Sequence, residues 1–171
     1  MTTETTAGYP VETVTLHDEP TLVLRGTVAG GQVATFMQEA FARVARVAGS
    51  DGMHIAGPPF ARVHPDKGGT LQVEAGFPVS GVALGQGDVK VSHLPGGTAL
   101  RTTHRGAYAR SRLAHEALHA YAAEHHLTPA GDAWEVYLDT PDVPQPRTVV
   151  VLPTLAAGDA ALAAADAADA A

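Results

Sequence analysis

The segment most informative about the fold of this chain is Pro129-Ala130-Gly131-Asp132-Ala133-Trp134-Glu135-Val136-Tyr137. It repeats an earlier stretch, Ile55-Ala56-Gly57-Pro58-Pro59-Phe60-Ala61-Arg62-Val63, at an offset of 135 − 61 = 74 residues. Each copy follows a long helical pattern, and a β-rich segment precedes each helix. The repeat predicts a duplicated fold with two equivalent half-sites. Glu135 stands where the first copy has Ala61, and this asymmetry indicates where to look for function.

The sequence around each copy of the repeat predicts two strands, a helix and two more strands. Alternating apolar residues predict strands over 11–17, 21–28, 60–64 and 71–79 in the first half, and over 89–93, 98–104, 133–138 and 147–152 in the second. Helical periodicity predicts helices near 32–48 and 108–126. A linker at 81–87 without periodicity divides the halves, which span 11–80 and 88–154.

The predicted fold class is α+β. Short connections favour antiparallel hairpins, so we expect one curved, eight-stranded antiparallel sheet with both helices on one face, related by a pseudo-twofold axis. Residues 1–10 are predicted to be a disordered N-terminus. The tail 155–171 is almost entirely Ala and Asp, with little apolar surface to bury, and is predicted to be frayed or disordered.

Composition narrows the possible functions. The 171 residues carry a formal charge of −7, which argues against nucleic acid as a partner and permits attraction of cationic ligands. The absence of cysteine excludes disulfides and thiolate metal sites. The first residues do not resemble a signal peptide, and no apolar run approaches the ~20 residues of a membrane span. A cytoplasmic protein without membrane association is expected, and its oligomeric state stays open.

His115-Glu116-Ala117-Leu118-His119 matches the H-E-x-x-H pattern of zinc proteases. Periodicity predicts that the buried apolar stripe of this helix consists of Leu113, Ala114, Ala117, Leu118 and Tyr121, which places His115, His119 and His126 toward solvent. His125 points away from His115 and His119, nearer that stripe. We therefore predict a solvated histidine stripe, no functional metal and no cofactor, and leave adventitious metal binding open.

Glu135 lies in the middle of a predicted strand, where a carboxylate requires a partner or a function. Strand alternation places Glu135 and Tyr137 on one face. An acid beside a phenol on the helix-covered face is suited to a cation whose aromatic body stacks on neighbouring rings. The alternative is an ordinary surface acid, or one paired with Arg62 or Arg101.

The segment from His104-Arg105-Gly106-Ala107-Tyr108 through the helix to Leu138 resembles the second half of the GyrI-like family, also known as the effector-binding domain of bacterial multidrug-responsive regulators. Gly57 to His64 and Val73 to Val79 resemble its first half. The likeness covers about 11–154. No helix-turn-helix precedes the domain, so we expect a stand-alone form.

The resemblance implies a pocket, enclosed by the helices and a concave sheet, for bulky, aromatic and often cationic compounds. It implies that Glu135 faces the ligand, that Tyr108 lies near the pocket mouth, and that Tyr137 shares the strand face of Glu135. Ala61, Phe77 and Val63 complete the expected ligand-binding set; the family often has tyrosine where this chain has Val63.

Three functions follow from the resemblance. The leading one is a binding protein for drugs or natural products, serving sensing, sequestration or antibiotic resistance. The alternative is a hydrolase that opens the cyclopropane ring of DNA-alkylating natural products, with Glu135 as the base and Tyr108 or Tyr137 as a hydrogen-bond donor. A weaker alternative is a topoisomerase-binding inhibitor.

Overall fold

The computed structural model describes residues 3–50, 52–156 and 158–159. The predictions for residues 1–2 and for the tail from 160 onward lie outside these residues. No helix in the described part is long and apolar enough to cross a membrane.

The described residues form ten strands and two α-helices, in the order β1 (Thr3–Thr6), β2 (Tyr9–Leu16), β3 (Glu19–Ala29), α1 (Val33–Ala48), β4 (His54–Ile55), β5 (Phe60–Pro65), β6 (Thr70–Ser80), β7 (Lys90–Leu94), β8 (Gly97–Arg105), α2 (Arg112–Glu124), β9 (Trp134–Tyr137) and β10 (Arg147–Pro153). A short 3₁₀ helix precedes each α-helix, and a third joins β5 to β6. The eight predicted strands and both helices are present. The additional strands are the short β1 and β4.

The two helices bury equivalent positions. Ala40, Val44 and Ala48 of α1 are fully buried, and the residues 74 positions later, Ala114, Leu118 and Ala122, are buried in α2. These positions recur at four-residue spacing and therefore form one stripe along each helix. The 74-residue offset read from the strands thus extends through the helices and confirms the duplication.

One antiparallel sheet runs in the order β1-β2-β8-β10-β9-β5-β6-β3-β7, with β4 paired to β6 at the side. The order is symmetric about the junction of β9 and β5, as a pseudo-twofold axis requires. At that junction Ala61 pairs directly with Glu135. The two equivalent positions found in the sequence are therefore neighbours across the axis.

Strand pairing differs from the predicted hairpins at one point in each half. β2 pairs with β8 of the second half, and β7 pairs with β3 of the first half, so consecutive strands β2 and β3 do not pair with each other. Alternation specifies which face a residue occupies but not which strand lies beside it. The halves have therefore exchanged their first strands.

The N-terminal segment and the linker between the halves were both predicted to lack regular structure. The N-terminal segment predicted to be disordered contains β1, which pairs with β2 from Thr3 to Thr6. The linker at 81–87 contains no helix, as predicted.

Both faces of the sheet contribute to the core. On the helix-covered face, α1 packs on Leu22, Val73 and Ala75, and α2 packs in a second cluster that includes Leu100 and Val150. On the other face the curved sheet buries a third cluster that includes Val23, Phe60, Trp134 and Val151. The α+β class, the curved antiparallel sheet and the two helices agree with the prediction.

Candidate functional site

Glu135 accepts hydrogen bonds at both carboxylate oxygens. Its Oε1 accepts from the Ser111 hydroxyl at 2.6 Å and from Nε2 of His115 at 2.9 Å, and its Oε2 accepts from the Tyr137 hydroxyl at 2.7 Å. The Glu135 side chain is only 17% exposed. Three donors, one on β9, one on α2 and one at Ser111 just before α2, therefore hold a half-buried carboxylate where α2 meets β9.

These donors decide the charge state of Glu135. Burial opposes ionisation, but the hydrogen bonds from His115, Ser111 and Tyr137, with the charge of His115, hold the pKa of Glu135 below its ordinary value of 4.5. The pKa of the Tyr137 hydroxyl is raised by burial and by the neighbouring Glu135 carboxylate. At neutral pH the Glu135 carboxylate is therefore ionised, and the Tyr137 phenol beside it is neutral.

The lowered pKa makes Glu135 a source of acid-sensitive stability. A carboxylate whose folded-state pKa lies below its unfolded value stabilises the fold above the unfolded pKa, and this contribution is lost as pH falls through the folded pKa. We expect wild type to melt above Glu135→Gln near neutral pH, and the gap to shrink as pH falls below about 4.5. Thermal melts of both proteins from pH 3 to 7 measure this. A gap that does not depend on pH would contradict it.

Tyr108 is positioned by the turn that joins β8 to α2. Gly106 adopts a φ of +118°, which favours glycine, and Nε2 of His104 donates to the Ala107 carbonyl at 3.1 Å. The Tyr108 hydroxyl donates to the backbone carbonyl of Asp139. Burial, followed by the nearby Asp139 and Asp142, raises the pKa of Tyr108. Its phenol is therefore held neutral, with its proton directed to the backbone.

Tyr137, which donates to Glu135, belongs to a cluster of aromatic rings. The Tyr108 and Tyr137 ring centroids lie 5.2 Å apart, Phe41 is 6.1 Å from Tyr137, and Phe77 is 5.7 Å from Phe41. These separations are typical of interacting aromatic pairs. The structure thus brings the predicted residues Glu135, Tyr137 and Tyr108 together. The ring of Phe41 lies between Tyr137 and the fourth predicted residue, Phe77.

The equivalent positions in the first half are apolar. Subtracting 74 from Ser111, His115, Glu135 and Tyr137 gives Met37, Phe41, Ala61 and Val63. Ala61 is buried directly opposite Glu135, whereas Val63 is 40% exposed. One half-site thus carries a hydrogen-bonded carboxylate, and its counterpart across the axis carries only apolar side chains.

The predicted orientation of His115 is wrong. His115 turns toward Glu135 and is 28% exposed, whereas Leu113, which was assigned to the buried stripe, is 37% exposed. The other four predicted members of the stripe are buried together with Ala122, so the stripe lies rotated away from Leu113. The alternative pairing of Glu135 with Arg62 or Arg101 is not found, because Arg62 binds Glu74 and Arg101 binds Glu12.

Sequence reasoning therefore missed two residues of the site, Ser111 and His115. A signal was available, because Met37 and Phe41 occupy the equivalent positions on the inner side of α1 and pack against its core. Applying the 74-residue offset to the helix faces would have placed Ser111 and His115 toward the sheet.

The rest of the H-E-x-x-H motif lies elsewhere. His119 is exposed, as predicted, and Glu116 forms an ion pair with Arg112. His125 is also exposed, but its ring stacks on Tyr121 of the buried stripe, nearer that stripe as predicted, and its Nε2 lies 2.7 Å from the Glu4 carboxylate. Within the described ranges, no group of three or more His, Asp or Glu side chains is arranged to hold a metal ion.

A cleft of about 420 Å³ lies away from Glu135, with polar side chains from the opposite face of the sheet in its lining. Arg25, Arg62, His64, Glu74 and Asp132 are among its lining residues. None of the six predicted ligand-binding residues lines it. We place the candidate site at Glu135, because there an ionised carboxylate adjoins an aromatic cluster, whereas in the cleft Glu74 is already paired with both arginines.

Comparison with known proteins gives matches in structure alone. No protein-family model matches the sequence, and no curated protein matches it. The C-terminal domain of EcmrR is 17% identical, with a TM-score of 0.74 over 86% of this chain and 98% of that domain. In the structure of EcmrR bound to DNA, the similarity covers 57% of the EcmrR chain.

Two further structures share the fold at lower similarity. A hydrolase from Listeria innocua is 14% identical, with a TM-score of 0.59 over 85% of this chain and 91% of that chain. SAV2435, solved bound to tetraphenylphosphonium, is 15% identical, with a TM-score of 0.56 over 85% of this chain and 93% of that chain. Together with the paired βαββ halves, these similarities show that the chain has the GyrI-like fold that its sequence resemblance predicted.

Proposed function

We propose that this chain binds bulky aromatic, cationic or amphiphilic small molecules, with Glu135 as their anionic contact. The observation that carries the proposal is a half-buried carboxylate whose lowered pKa keeps it ionised, lying beside the Tyr137 and Tyr108 rings. A buried negative charge favours a cation, and aromatic faces favour a cation with an aromatic body. Sensing or sequestration of such compounds in the cytoplasm is the role we propose.

Fold neighbours support small-molecule binding. SAV2435 was solved with tetraphenylphosphonium, which is a bulky aromatic cation of the proposed class. The net charge of −7 favours the approach of such a cation, although charge alone specifies no site. The support from fold is general, and the ligand class rests on Glu135 and its neighbours.

The unequal half-sites support an amphiphilic ligand. A compound seated on the pseudo-twofold axis would meet Glu135 on one side and the apolar Ala61 and Phe41 on the other. One polar end and one apolar body would satisfy both halves. A symmetric dication would leave one charge against apolar side chains without a partner, which is costly.

The hydrolase alternative has weaker support. Its one favourable observation is the similarity in fold to the Listeria innocua hydrolase. A general base acts best when its pKa lies near the working pH, whereas three donors hold the pKa of Glu135 low. The Tyr108 proton is directed to the Asp139 carbonyl rather than to a substrate.

Mass analysis for a product heavier by one water tests whether the chain hydrolyses a ligand. Co-purification with a topoisomerase tests the third function, a topoisomerase-binding inhibitor.

A thermal-shift experiment tests the proposed binding. Tetraphenylphosphonium at 100 times its Kd is expected to add about 2.7 kcal/mol to the free energy of unfolding, because a ligand that binds only the folded state stabilises it. For a chain of this size that corresponds to a Tm increase of about 5–10 °C. Triphenylphosphine oxide, a neutral aromatic compound, serves as the control and should bind more weakly. If neither this cation nor related cationic dyes raise the Tm, the proposed function is wrong.

A further inference from the structure

His115 occupies a position that a ligand cation would otherwise take. Its Nε2 donates to Glu135 Oε1 at 2.9 Å, and it shares that oxygen with the Ser111 hydroxyl. The Glu135 side chain is only 17% exposed, which leaves little room for a second cation at the same oxygen. A ligand cation that binds Oε1 must therefore displace the imidazole of His115.

The surroundings identify His115 as the group that changes the charge balance at Glu135. Tyr137 from β9 and Tyr108 from the preceding 3₁₀ helix stay neutral, because burial raises the pKa of both phenols. Facing residues from α1 and β5 are the apolar Phe41 and Ala61. Histidine is the side chain that ordinarily changes its charge between pH 5 and 8.

The charged neighbours on α2 point elsewhere. Arg112, one turn before His115, forms its ion pair with Glu116 and is 76% exposed. His119, one turn after His115, is exposed. Among the described residues, His115 is also the one whose charge acts to lower the pKa of Glu135. Proton uptake by His115 thus changes the net charge at the site from −1 to 0.

We propose that His115 is an internal counter-cation for Glu135, so that a cationic ligand binds by displacing the protonated imidazole and its binding is linked to release of a proton. The proposal rests on the proposed function and adds a specificity-determining residue to it. The protonated imidazole competes with the ligand for Glu135. The neutral imidazole leaves the charge of Glu135 uncompensated, so a permanent cation binds more tightly to that form.

A site that acts only through its own carboxylate would give a different result over this pH range. Glu135 is ionised throughout pH 5.5–8, so without His115 the affinity for a permanent cation would stay constant over this range. With release of one proton, the affinity rises by at most about tenfold per pH unit. A neutral ligand gains nothing from the uncompensated charge and should show no such rise.

The test measures the Kd of tetraphenylphosphonium, which has no titrating group, at several pH values from 5.5 to 8. We expect the affinity of wild type to rise about tenfold over this range. His115→Gln should bind with a pH-independent affinity and more tightly than wild type at pH 5.5. His119→Gln, the matched control one turn along α2, should keep the wild-type slope. Calorimetry in two buffers of different ionisation heat counts the protons released on binding.

Each outcome is decisive. Tight binding by wild type without a pH slope would overturn the role of His115 and leave the proposed function intact, and this result does not depend on any variant folding. A slope that persists in His115→Gln and in His115→Asn would also overturn it. Absence of binding at every pH would overturn the proposed function, and the inference with it.

Discussion

Glu135→Gln is expected to weaken the binding of tetraphenylphosphonium by roughly 30-fold or more, with the chain still folded. Glutamine keeps the shape of the side chain but removes its charge. Leaving one member of a buried charge pair without its partner typically costs about 2–5 kcal/mol, and each 1.4 kcal/mol is about tenfold in Kd. Titration calorimetry at pH 8 measures the change.

Glu74→Gln is the matched control for this experiment. Glu74 is also a strand glutamate, its side chain is 13% exposed, and it is paired with Arg25 and Arg62 on the other face of the sheet. Its replacement should leave tetraphenylphosphonium binding unchanged at a temperature where both variants are folded. Equal losses in the two variants, or no loss in Glu135→Gln, would show that the cation does not bind at Glu135.

Gly76→Ala is expected to destabilise the fold by about 3 kcal/mol or more, because strands β3 and β6 approach too closely for a side chain. A Cβ at Gly76 would lie 1.9 Å from the backbone carbonyl oxygen of Leu22 and 2.9 Å from the backbone of Val23. Backbone in the middle of a sheet cannot move aside locally, so the strands must separate. Denaturant unfolding, or a Tm decrease of at least about 6 °C, measures the effect.

Gly26→Ala is the matched control in the neighbouring strand. A Cβ there would also be too close, at 2.4 Å, but the atom it meets belongs to the side chain of Phe36. Phe36 is only partly buried and can rotate away, so the loss should be clearly smaller than at Gly76. Equal and small losses in both variants would show that β3 and β6 tolerate a side chain at their contact.

Local patterns were sufficient to predict most of the fold. Alternation located the strands, and it placed Glu135 and Tyr137 on one face, where the structure joins them by a hydrogen bond. The exchange of β2 and β7 between the halves was not predicted, because the choice of a strand's neighbour depends on tertiary contacts. Short loops favour hairpins only as a tendency.

Part of the site could not be read from a helical pattern alone. The prediction placed Ala114, Ala117 and Leu118 correctly in the buried stripe of α2, but it added the large apolar Leu113, which is 37% exposed. That error turned His115 outward. The pairing of His115 with Glu135 also depends on how α2 lies on β9, which no local pattern specifies.

Because of the strand exchange, the two halves should stay together even when the backbone between them is cut. Three ladders join the halves: β2 with β8, β3 with β7, and β5 with β9. A backbone cut within the linker at 81–87 would leave all three in place, so the two fragments should remain one noncovalent complex. Neither fragment alone can complete its part of the sheet. One neighbour of β3, the strand β7, belongs to the second fragment, and one neighbour of β8, the strand β2, belongs to the first. The two halves of the chain are arranged like two subunits that have exchanged a strand. Because the exchanged strands pair with residues far apart in sequence, folding is expected to be slow.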